Sequence, residues 1–150
     1  MNCVALLGAR KTDTPPSLPF PSAPRSLKPV KAMLACGKHF ADADFIVASL
    51  ARARIDHDIA TIVHGGHQAN GATIETWCRE HDVHIVRYPA NRLKHGRRAE
   101  DIRNSFMLQD SRPDLVIALP GGASTRSLIN RAIAQGVPVL FHDSLIHIAP

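Results

Sequence analysis

The feature that most constrains this chain is an alternation of strand-like and helix-like segments from Lys31 onward. Short aliphatic and β-branched runs end in glycine, proline or a polar turn, and each gives way to a segment with helical spacing. "KAMLAC" (31–36) stops at Gly37, "IATIVHGG" (59–66) at two glycines, and "DLVIALP" (114–120) at Gly121 and Gly122. "VHIVRY" (83–88) alternates as a strand does, and "VPVLFH" (137–142) follows Gly136 as a last strand.

The segments between them repeat at three and four residues. "ADADFIVASLARAR" (41–54) offers Asp42 as an N-cap and lines up Phe45, Ile46, Ser49, Leu50 and Ala53. "ATIETWCREH" (72–81) groups Ile74, Trp77, Cys78 and His81, with Glu75 read as a solvated helix residue. "RAEDIRNSFMLQD" (98–110) places Ala99, Ile102 and Phe106 on its apolar face, with Arg103 and Asn104 just off it. "STRSLINRAIAQ" (124–135) is closed by Gly136. Such alternation buries both kinds of segment when helices cover both faces of a mainly parallel sheet, here of five strands. At 150 residues this makes one α/β domain over 31–150.

Ahead of it stands a different composition. Residues 12–30 hold six of the eleven prolines, a density that blocks helix and ladder hydrogen bonds. Residues 1–30 are therefore expected to be a disordered, flexible tail. Arg10, Lys11, Arg25 and Lys28 against Asp13 give that tail +3 of the net +5, so residues 31–150 are only mildly basic. A dedicated nucleic-acid surface would be denser in charge. Cys3, Cys36 and Cys78 form no CxxC pair and point to neither a disulfide framework nor a thiolate zinc site. No secretory leader or membrane span is visible, so the expected setting is cytoplasmic, without a membrane partner.

Glycine-ended strands in a doubly wound sheet open at its carboxyl edge, where ligands bind if the strand order reverses. Gly37, Gly65, Gly66, Gly121 and Gly122 lie at such ends. Behind Pro120 the backbone amides at the start of a helix would face the turn, an arrangement suited to phosphate. Ser124 and Thr125 can cap that helix or donate hydroxyls to the anion, and Arg126 adds charge if it faces the crevice. In "HGGHQANGAT" (64–73), His64 and His67 lack further metal ligands at readable spacing, although His39 and His142 are candidates; no metal is expected. Gln68 and Asn70 instead suit hydrogen bonds to a base or ribose. Arg103 has the chemistry of a bidentate phosphate clamp.

The stretches "GKHFAD", "IVHGGHQANG", "YPANRLKHGRRAEDIRNSFML" and "PDLVIALPGGASTRSLINRA" resemble, in order and spacing over residues 31–140, the YspA-like, cpYpsA-related family of the SLOG superfamily. Its relatives include the LOG phosphoribohydrolases and the DNA-processing protein DprA. The resemblance implies a Rossmann-like three-layer sandwich holding a nucleotide or nucleotide-derived ligand between the HGG and PGG turns. It assigns ligand contact to Gly65, Gly66, Arg103, Asn104, Pro120, Gly121, Gly122 and Thr125; the residue reading adds Gly37, His64 and Ser124.

One departure bears on chemistry. LOG-type enzymes carry PGGxGTxxE, whose glutamate assists cleavage of an N-glycosidic bond. Here Ser124 stands at the second glycine and Leu128 at the glutamate, on the apolar face with Ile129, Ala132 and Ile133. Leucine moves no proton. The expectation is thus a non-catalytic nucleotide-binding module, a sensor or part of a nucleic-acid-linked pathway, with no catalytic residue and no resident cofactor. The alternative is a phosphoribohydrolase with a displaced acid at Glu75, Asp42 or Asp44. A third reading is single-stranded DNA binding through residues 92–98. The relatives also lead one to expect a homodimer.

Overall fold

A computed structural model describes residues 28–141. The proline-rich segment assigned to a tail lies outside the described residues up to position 27, and so does His142. Five strands form the sheet: β1 (Val30–Ala35), β2 (Ile59–His64), β3 (His84–Arg87), β4 (Leu115–Ala118) and β5 (Val139–Phe141). The helices are α1 (Ala43–Asp56), α2 (Gly71–Glu80), a single turn α3 (Arg92–His95), α4 (Ala99–Ser111) and α5 (Ala123–Ala134). The sheet order is β3-β2-β1-β4-β5 and every pairing is parallel. This is the α/β architecture expected from the alternation, and the Rossmann-like one that the resemblance implies.

The chain builds outward from β1 in one direction, then returns after β3 to build in the other. The order therefore reverses between β1 and β4, where Ala35 pairs with Ala118. Both strands are buried on both faces, as befits the centre of a parallel sheet. On one face, α1 and α2 cover a core of Leu34, Ile46, Leu50, Ile62, Ile74 and Trp77. On the other, α4 and α5 cover Met33, Val63, Met107, Val116, Leu128 and Ala132.

Local signals set the helix ends. Asp42 caps α1 by accepting from the Phe45 amide at 3.1 Å, and the face that α1 buries is Ile46, Ser49, Leu50 and Ala53. Helix α4 departs from its expected face. Phe106 is exposed, its ring edge-on to Tyr88, while Arg103, Asn104, Met107 and Leu108 are buried. Ala99 is buried as expected, but beyond it the stripe is turned by about one residue, because internal hydrogen bonds let an arginine and an asparagine face inward.

Candidate functional site

The carboxyl edge of the sheet carries two adjoining clefts, separated by the β1–α1 loop. Lys38 and His39 of that loop line both. One cleft, of about 580 Å³, is walled by the HGG turn, Pro89, Ala90, Arg92 and Arg103. The other, of about 440 Å³, is walled by Gly37, the PGG turn, Ser124, Thr125 and Glu100. The second lies where the strand order reverses, the place a doubly wound sheet offers a ligand, and the first opens beside it at the ends of β2 and β3.

The HGG cleft is assembled from charged side chains. His64 is buried, and its Nδ1 accepts the Gly66 amide at 3.1 Å. The ring proton must then sit on Nε2, which donates to Glu75 Oε2 at 2.9 Å. His64 is thus a neutral imidazole that clamps the second glycine. Burial keeps its pKa below the ordinary histidine value, against the opposing pull of Glu75. Arg87 donates its Nε to Glu75 Oε2 at 2.7 Å and its Nη2 to Oε1. Those bonds hold the Glu75 carboxyl below its usual range. Gly66 has a φ of +68°, and a Cβ there would come within 2.8 Å of the Arg87 stem. Only glycine satisfies both conditions.

Arg103 reaches this cleft from the buried face of α4. Its Nη1 donates to the carbonyls of Gly65 at 2.6 Å and Tyr88 at 2.9 Å. Its Nε donates to Asn104 Oδ1 at 2.7 Å, and Asn104 Nδ2 reaches the Ser124 carbonyl at 3.4 Å. No carboxylate bonds to this guanidinium among the described residues. Burial lowers its pKa from the arginine value. The remaining nitrogen, Nη2, has a single long contact, 3.5 Å to His67 Nε2. His67 is itself pushed down to about 4, first by burial and then by the Arg103 charge.

The PGG cleft is assembled from main chain. Gly37 donates its amide to the Pro120 carbonyl at 3.0 Å, tying the central loops together. A Cβ on Gly37 would stand 2.7 Å from Gly121 Cα, and one on Gly121 would overlap the Thr125 hydroxyl. These two glycines are therefore packing requirements between loops. Gly122 differs, since a Cβ there would meet nothing within 4 Å. It is the N-cap of α5, and no side chain caps that helix. Ser124 and Thr125 lie inside the first turn, so the helix-start amides open into the cleft without a local partner.

The sequence-predicted site residues converge on this edge. Gly37, Pro120, Gly121, Gly122, Ser124 and Thr125 border one cleft, and Gly65, Gly66 and Arg103 border the other. His64 and Asn104 stand behind them as supports. Asn70 is not available to a base or ribose: its buried amide donates to the carbonyls of Gly37 at 3.0 Å and Phe40 at 2.9 Å. Gln68 does line the HGG cleft. Glu75 is buried in the His64–Arg87 cluster, contrary to the solvated role expected. Asp42 is occupied as a cap and Asp44 is an exposed first-turn residue. Leu128 is core. Arg126 is exposed and lines a shallow surface groove beyond the two clefts. Lys38 and Glu100 escaped notice in the sequence, because an isolated lysine and a first-turn glutamate carry no local signal.

Burial pushes the Cys36 thiol up to about 12, which removes it as a thiolate nucleophile. Among the described residues no group of three or more histidine, cysteine, aspartate or glutamate side chains is gathered for a metal, and no helix is long and apolar enough to cross a membrane.

No curated protein and no solved structure matches the chain. A family model described as YAcAr, the YspA, cpYpsA-related SLOG family, matches residues 31–95, from β1 through α3. The match takes in the HGG turn and Lys38, and ends before Arg103 and the PGG turn. Over residues 31–95, less than half of the chain, the sequence is similar to the YspA, cpYpsA-related SLOG family.

Proposed function

We propose that the double cleft binds a nucleotide or nucleotide-derived ligand through its phosphate, without acting as an N-glycosidase. The observation that carries this reading is the pairing of two anion-seeking features across the Lys38–His39 loop. On one side the uncapped start of α5 offers free amides and the positive end of a helix dipole. On the other, a buried arginine with no bonded carboxylate turns one nitrogen toward the HGG cleft. The likeness to the YspA, cpYpsA-related SLOG family over 31–95 fits a nucleotide-related ligand in general terms.

The hydrolytic alternative is weaker because its three named acids are committed or remote. Glu75 is bound by Arg87 and His64, Asp42 by the α1 amide, and Asp44 points from an exposed turn. The strand-binding alternative rests on Arg92, Arg97 and Arg98, all exposed. It predicts an affinity that falls steeply with salt.

Titration calorimetry with AMP and with orthophosphate, alongside mass spectrometry of small molecules retained by the purified protein, tests the proposal. Saturable AMP binding without release of adenine is the expected result. Turnover of AMP to free base, or no binding of either probe, would refute it.

A further inference from the structure

Glu100 is a carboxylate set in the wall of a cleft that otherwise favours anions. Its side chain is only 14% exposed. A glutamate in the first turn of a helix is ordinarily explained by the helix dipole. Asp101, its exposed neighbour in the same turn of α4, already meets that role. Glu100 instead turns inward and meets two cations, one from each side. Arg92 Nη2 donates to Oε2 at 3.0 Å, and Lys38 Nζ lies 3.7 Å from the same oxygen. The other oxygen, Oε1, accepts no hydrogen bond among the described residues. The two cations occupy one carboxylate oxygen and leave the other, on a side chain that lines the cleft, with its lone pairs unused.

Resting on the phosphate reading above, we infer that Glu100 recognises the vicinal hydroxyls of a ribose, so that the ligand class is a ribonucleotide-like 5′-phosphate. A carboxylate oxygen with free lone pairs in a half-enclosed cleft needs hydrogen-bond donors. In a nucleotide only one methylene separates the 5′-phosphate from the sugar. A group that shares the α5 cleft with the phosphate is therefore placed to meet the sugar. The exocyclic amines sit at the far end of the molecule and would fall in the larger cleft beyond Lys38 and His39. The cavity of about 440 Å³ has room for a phosphate and a pentose, and the adjoining one of about 580 Å³ for a base.

The test compares AMP, 2′,3′-dideoxy-AMP, IMP and orthophosphate on the wild type and on Glu100→Gln, with Glu100→Asp as a second variant and thermal unfolding as the check of folding. Hydrogen bonds to an ionised group imply that wild type binds the dideoxy compound about tenfold to a hundredfold more weakly than AMP. Glu100→Gln should shrink that ratio to a few-fold at most and leave orthophosphate bound at least as well. Three results would overturn the assignment: equal binding of AMP and dideoxy-AMP by wild type, an unchanged ratio in a folded Glu100→Gln, or discrimination of AMP from IMP in place of discrimination between the sugars. Orthophosphate binding with no sugar preference would remove the ribose inference alone. Absence of binding by every probe would remove the phosphate reading and this inference with it.

Discussion

The HGG turn is held in shape by side chains, whereas the PGG turn is held by main chain and by the lack of side chains. In the first, a neutral histidine clamps a glycine amide, a buried glutamate holds the histidine, and two arginines fix the glutamate and the flanking carbonyls. In the second, Gly37 and Gly121 press backbone against backbone, and the helix start is left open. The difference teaches where each turn is fragile. The PGG turn tolerates no added carbon at its packed glycines, while the HGG turn depends on polar groups that must stay paired.

The largest effect should come from Gly121→Ala. The new methyl would overlap the Thr125 hydroxyl and lie 2.8 Å from the Gly37 amide nitrogen, both in packed surroundings. Overpacking against backbone should cost about 3 kcal/mol of stability in urea unfolding. Gly122→Ala, one position on, meets open space and should stay within about 0.5 kcal/mol of wild type. Equal costs at the two positions would break the distinction between a packed and an open glycine.

Arg103→Met probes the other region and should cost somewhat less, about 2 kcal/mol. Methionine fills much of the volume, but the Gly65 and Tyr88 carbonyls lose their donor, and each orphaned acceptor carries a penalty of roughly 1–3 kcal/mol. Water entering from the cleft recovers part of it. A loss under about 0.5 kcal/mol would mean that Arg103 is held for ligand alone and does not support the HGG turn.

The same contrast explains how much was legible in the sequence. The fold follows from local information: aliphatic runs, glycine stops and an aspartate cap announce the alternation wherever they occur. The PGG turn is also local, since Pro120, Gly121, Gly122 and the helix behind them are contiguous. The HGG turn shows its glycines but hides its scaffold. Glu75 meets His64 and Arg87 across eleven and twelve residues, and Arg103 meets Gly65 across thirty-eight. Spacing on one helix face makes Glu75 look solvated, because the partners that allow a carboxylate to be buried come from β2 and β3. Helix α4 misleads in the same way. Phe106 looks more suited to burial than Arg103 until the carbonyls awaiting the guanidinium are known.

A smaller effect is expected from acid. His67 is neutral in the folded chain down to about pH 4, whereas an unfolded histidine titrates near 6.5. Above pH 6.5 both states are uncharged there and the residue adds no pH dependence. As pH falls from about 6.5 toward 4 the unfolded chain takes up the proton first, so stability declines through that window. His64, lowered by burial, acts in the same direction. Melting temperatures recorded across the window should fall for wild type and fall less for His67→Gln. Burial holds His67 down first and the Arg103 charge second, and an anion bound beside Arg103 would offset the second, so saturating orthophosphate should raise the His67 titration midpoint by NMR and narrow the window of decline from its acid end. A midpoint that ignores orthophosphate would place the anion at the α5 start alone.

The smallest change in stability and the sharpest separation of the two clefts come together in Gly122→Asp. Gly122 has a negative φ of −94°, and an aspartate side chain there would enter open space. As an N-cap it accepts from the first-turn amides of α5, so the melting temperature should hold or rise by an amount worth a few tenths of a kcal/mol. Those amides are the ones a phosphate would use, and the new carboxylate both occupies and repels. AMP and orthophosphate should then bind about tenfold more weakly or worse, in a protein at least as stable as the parent. Loss of binding with loss of stability, as Gly121→Ala should give, says little about where the anion rests. Loss of binding with stability kept points to the helix start, and undiminished binding would move the phosphate across the Lys38–His39 loop to Arg103.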